Sequence, residues 1–121
     1  MNIVRNLRLV GVAAVALLAY SQQSFAATLV TESGRTRAVS TAGLDLEQPA
    51  GVATLYQRIQ AAARAVCREE ALDFRRDTRS FAPAGWRKSC IVQAVDGAVA
   101  DAGNVRLSAL HRDAPERVVR L

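Results

Sequence analysis

The sequence predicts a mainly α domain: a disulfide-linked antiparallel helical hairpin with a small two-stranded β edge. Three observations predict it. A helical apolar period runs from residue 49 to about residue 70, and a second apolar stripe runs from residue 83 to about residue 102. The only two cysteines of the chain, Cys67 and Cys90, fall one on each stripe.

The compartment comes from the first residues. Arg5 and Arg8 form a positive start, residues 9–20 are apolar, and Ser24, Phe25 and Ala26 place small residues where a signal peptidase reads. The apolar run is shorter than the roughly 20 residues a spanning helix needs. Residues 1–26 therefore read as a signal peptide, cleaved between Ala26 and Ala27, which leaves no transmembrane anchor. An uncleaved anchor helix is the alternative, and Gln22 and Gln23 behind the short run argue against it. No cysteine stands just after the apolar run, so a lipid anchor is not expected. The expected location is the bacterial periplasm or the secreted medium. Residues 27–112 form a single helical domain and residues 113–121 a loose tail. A domain of this size is marginal on its core alone.

Charge excludes one large class of partner. Cleavage removes Arg5 and Arg8 and no acid, so 16 basic residues become 14 against 11 acidic ones, and the net charge falls from +5 to +3. Acids are interspersed among the arginines instead of leaving one basic face, so no nucleic-acid partner is expected.

The elements follow in order. Residues 27–34 are polar and mixed and read as a frayed lead-in. Residues 36–40 are a short β-prone run, broken by Thr41-Ala42-Gly43. Leu44-Asp45-Leu46 leads to Pro49, whose missing N–H suits a helix start. From there Val52, Leu55, Tyr56, Ile59, Ala62, Ala63, Val66 and Cys67 recur at helical spacing, and Gln57, Arg58, Gln60, Arg64 and Arg68 take the other faces. Residues 72–82 read as a charged connection, pinned by Leu72, Phe74 and Phe81. Pro83 opens the second helix, whose stripe is Trp86, Cys90, Ala94, Gly97 and Ala98, with Val95 and Val99 beside it. Gly103-Asn104 stops it. Residues 105–110 alternate apolar and polar and are expected to pair as a strand with residues 36–40.

Two cysteines in a small exported domain are most simply a disulfide. A zinc site would need His111 and carboxylates to complete its set, without the usual paired spacing of ligands. A redox pair would favour closer cysteines. An antiparallel hairpin brings the two stripes together, and a bond closing a loop of roughly 24 residues is worth about 3 kcal/mol in the chain-entropy model.

The order of features resembles the UrcA family of small exported bacterial proteins. The motifs that carry the resemblance are Leu44-Asp45-Leu46, Pro49-Ala50-Gly51, Leu55-Tyr56, Arg58-Ile59, Ala63, Val66-Cys67, Trp86 and Cys90. They span residues 39–112. The chain departs from the family pattern at Gly43, where members carry an acid, and at Thr41, near which they carry an aromatic residue. It departs again at Glu47, near which they carry Ser or Thr, and at Arg68, where they carry Gly. The family has no established biochemical activity. The resemblance therefore implies export and architecture and no mechanism.

Candidate chemistry is sparse. His111, the only histidine, lies near the loose end, and Ser108 and Asp113 beside it fix no geometry. No phosphate loop or metalloprotease helix appears. The expectation is a protein that is not an enzyme and needs no cofactor. Glu69, Glu70, Asp73 and Asp77 are the candidate cation ligands, because carboxylate oxygens suit hard cations. Arg68, Arg75, Arg76 and Arg79 interleave with them and would neutralise them. Arg75, Arg76, Arg79, Arg87 and Lys88 are the candidate anion patch, and Arg87 and Lys88 are favoured by the start of the second helix. The expected role is binding or stress-linked structural work at the cell envelope, with an envelope protein as a possible partner. The alternative is weak cation or anion binding by the charged segment between the cysteines.

Overall fold

The computed structural model describes residues 27–32 and 34–114. The expected signal peptide, residues 1–26, and residues 115–121 of the expected tail lie outside the described residues. The elements are β1 (Ala27–Glu32), β2 (Arg35–Ser40), α1 (Pro49–Thr78), α2 (Trp86–Ala102) and α3 (Val105–Asp113).

The expected hairpin of two helices is present, and Cys67 and Cys90 join it, with Cα atoms 5.9 Å apart. Val52, Leu55, Tyr56, Ile59, Ala62, Ala63, Val66 and Cys67 of α1 are buried as the helical period requires. They meet Cys90, Ile91, Ala94, Val95, Ala98 and Val99 of α2. Ala63 and Ala94 are fully buried, and their small side chains let the two backbones approach closely. Gly97, expected on the same stripe, is exposed.

The β edge is present, but residues 105–110 do not build it. β1 pairs antiparallel with β2, with Thr28 opposite Val39 and Val30 opposite Arg37. The segment read as a frayed lead-in is therefore a strand. Two residues separate β1 from β2, and Gly34 takes φ 86°, which an L side chain rarely adopts. Because opposite residues share a face, Thr28, Val30, Val39, Arg37 and Arg35 all point to one side of the ribbon. That side lies on the helices, where Val30 and Val39 are buried and the Thr28 hydroxyl donates to the Ala98 carbonyl at 3.3 Å.

Residues 105–110 are helical because Asn104 caps them. Its Oδ1 accepts from the Leu107 N–H at 2.9 Å, satisfying a donor that a helix start leaves unpaired. Leu107 is then fully buried in the core, and Leu110 packs against it one turn later. Ala114, just past α3, is also buried.

Two boundaries move. α1 continues through Thr78 instead of ending near residue 70. Arg, Glu, Ala and Leu are good helix formers, and no Gly or Pro interrupts the run before Pro83. It stops at Arg79, whose left-handed φ of 56° lets its N–H donate to the Arg75 carbonyl at 2.9 Å. α2 begins at Trp86, after a turn in which Trp86 N–H donates to the Pro83 carbonyl at 3.1 Å. With Cys67 level with Cys90, the last turns of α1 overhang the start of α2 by about 10 Å.

Gly51 explains a motif. A Cβ there would collide with the Asp45 carbonyl oxygen. The turn before α1 is closed by Gln48 N–H donating to that oxygen at 3.1 Å and by Glu47 N–H donating to Asp45 Oδ1 at 3.0 Å. The turn therefore lies directly on the first turn of α1, where only glycine leaves room.

Candidate functional site

The charged segment between the cysteines is helical to Thr78 and is neutralised only in part by its own arginines. Its acids divide into two sets according to ion pairing. Glu69 and Asp73 are four residues apart and face β2. Arg37 Nη2 donates to Glu69 Oε1 at 2.6 Å, and Arg35 reaches both Glu69, at 3.5 Å, and Asp73. Arg76 adds a 2.9 Å bond to Asp73. The spacing matches: two residues of strand advance about 6.6 Å and four residues of helix about 6 Å. Two arginines on one face of β2 therefore meet two carboxylates on one face of α1, running in opposite directions. All five side chains are partly exposed, so each pair is worth about 1 kcal/mol or less.

Glu70 and Asp77 make no ion pair among the described residues. With Arg35, Asp73, Phe74 and Trp86 they line a cleft of about 290 Å3 under the overhang of α1. Glu70 Oε2 is buried with no hydrogen-bond donor among the described residues. Among the described residues Arg35 is the only cation lining the cleft, and its guanidinium is engaged by Glu69 and Asp73.

The candidate basic residues have different surroundings. Arg75 lies over the Phe81 ring, 4.7 Å from its centroid. Arg76 is bound to Asp73, and Arg79 ends the helix with its backbone. Arg87 and Lys88 are exposed in the first turn of α2, which has no side-chain cap and no acidic residue. Among the described residues no three His, Cys, Asp or Glu side chains converge into a metal-ligating group. Glu69, Glu70, Asp73 and Asp77 thus do not form one set of ligands.

His111 has a defined place on α3. Its Nε2 meets Asp96 Oδ1 at 2.6 Å and its Nδ1 meets the Tyr56 hydroxyl at 2.8 Å. A carboxylate only accepts, so Nε2–H donates, and in the neutral ring Nδ1 accepts from the phenol. Carboxylate, imidazole and phenol form a relay-like order, but Tyr56 is only 5 % exposed. The chain of bonds ties α3 to α1 and α2. Arg106 adds a second tie, donating to Glu47 at 2.6 Å.

Arg35 and Arg37 were the residues that sequence reasoning missed, together with the cleft-lining role of Trp86 and Phe74. The signal was present as charge at spacing two opposite charge at spacing four. It had meaning only once β2 was known to lie along α1. Among the described residues, no helix is long and apolar enough to cross a membrane. No family model, no curated protein and no solved structure matches this chain.

Proposed function

We propose that this chain is an exported, non-enzymatic binding domain of the UrcA type, acting at the bacterial cell envelope through the segment bracketed by Cys67 and Cys90. One observation carries the reading. Glu69 and Asp73 are consumed by Arg35 and Arg37, whereas Glu70 and Asp77 face a cleft unpaired. Unpaired carboxylates beside aromatic side chains in a cleft are features that can hold a ligand. The disulfide supports both export and binding, because it holds the overhang of α1 beside Trp86 in one geometry. β1 starts at Ala27, so the processed chain would keep every described element.

Anion binding is the second reading. It is favoured by the exposed Arg87 and Lys88 in a first turn that carries no acid.

The test is the intact mass of the protein recovered from a bacterial periplasm, in denaturing and then native spray. A chain starting at Ala27 and lacking two thiol hydrogens is expected, with an added mass in the native spectrum only. A full-length chain with free thiols would overturn the reading.

A further inference from the structure

We infer that the cleft under the overhang of α1 is a site for a small organic cation, a primary alkylammonium or an alkylguanidinium. The inference rests on the reading above and names its ligand class. Three features select that class. Glu70 and Asp77 offer carboxylates that make no ion pair among the described residues. Phe74 and Trp86 offer aromatic walls, and a cation placed against such rings is attracted by their faces. Glu70 Oε2 has no donor among the described residues, and an ammonium or guanidinium beside that carboxylate brings two or more N–H groups to it.

The same features reject the competing classes. A hard metal ion needs several oxygens converging at about 2.0–2.6 Å, and no such group of ligands exists among the described residues. An anion would meet Glu70, Asp73 and Asp77, with Arg35 already held by Glu69 and Asp73. Arg75, Arg76, Arg87 and Lys88 lie at the same end of the molecule, but they do not line the cleft. Arg76 is held at the edge of the cleft by Asp73, and Arg75 lies over the Phe81 ring. At about 290 Å3 the space suits a group of a few heavy atoms, such as one end of a diamine or a basic side chain.

Trp86 is the only tryptophan in the chain, so its emission reports on the cleft directly. The experiment titrates the disulfide-bonded protein with putrescine, agmatine and a short lysine peptide. Sodium chloride, magnesium chloride and sodium phosphate at matched ionic strength serve as comparisons. The expected result is a saturable change in Trp86 emission with the organic cations, half-complete at about 1 mM or below. The lysine peptide separates a basic side chain from a free amine as the source. The double variant E70Q/D77N is expected to weaken binding by about tenfold or more, as the loss of two carboxylate contacts requires. Both residues lie on the overhang outside the core, and far-UV circular dichroism with a thermal melt checks that the variant folds. The E70Q change alone is expected to leave the melting temperature equal or higher, since it removes an unpartnered carboxylate.

No saturable response to any of the three cations, or an equal response in E70Q/D77N, overturns the inference. A saturable response to magnesium or phosphate instead of the amines also overturns it, while leaving the cysteine-bracketed segment as the binding end.

Discussion

The two halves of α1 are one helix held by different forces. Every buried residue of α1 lies at or before Cys67. That half is covered by β1, β2, α2 and α3. Beyond Cys67 the helix continues to Thr78 with Leu72 54 % and Phe74 39 % exposed. Its tertiary ties are the pairs of Glu69 and Asp73 with β2 and the disulfide at its root. The first half is a helix because packing rewards it. The second half is a helix because extending an existing one costs little when the residues are good helix formers. The comparison teaches that burial and display can share a single element. The disulfide marks the boundary between them.

The largest break in that comparison comes from the core half. Ile59→Ala is expected to cost about 2–5 kcal/mol in urea unfolding, as a fully buried large side chain should. Leu72→Ala on the displayed half is expected to cost under about 1 kcal/mol, since little area is lost. Equal costs would mean that the overhang packs as the core does. Reduction of Cys67–Cys90, or the double change to alanine, comes next, at about 3 kcal/mol. It should also release hydrogen-exchange protection in residues 68–78 before it does so in residues 52–66.

Gly51→Ala follows. The turn at Asp45 must shift to admit a Cβ, and a loss of about 1–3 kcal/mol is expected, although alanine is the better helix former elsewhere. Asn104→Ala removes the cap of α3 and is expected to cost about 1 kcal/mol. Its signature is faster exchange at Leu107 and Leu110 with little change in the ribbon. A loss of β1–β2 protection instead would restore residues 105–110 as a strand. The smallest effect belongs to the ladder on the displayed half. Glu69→Gln is expected to lower stability by about 1 kcal/mol or less, and added salt should shrink even that.

Much of the core half is legible in the sequence. Val52, Leu55, Ile59, Ala63 and Val66 announce their shared face by spacing alone, because a helix repeats every 3.6 residues whatever it packs on. The hairpin could be placed because each cysteine sits on its stripe. On the displayed half the density of charge suggests a connection, whereas Arg, Glu, Ala and Leu favour helix. Residues 105–110 were misread because Val105, Leu107 and Ala109 alternate. The cap at Asn104 decides between a strand and a helix there, and a short run satisfies both periods.

The sequence by itself determined the two amphipathic helices and the pairing of Cys67 with Cys90. Periodicity is a local property, and with two cysteines there is only one way to pair within the chain. Tertiary structure alone decided that the ribbon uses residues 27–32, that Arg35 and Arg37 meet Asp73 and Glu69, and that His111 joins Tyr56 to Asp96. Those partners are separated by 32 to 55 residues in the Arg37–Glu69 and Tyr56–His111 bonds. No local rule links such distant positions. Only the laying of the ribbon along α1 and of α3 across the hairpin brings them within reach.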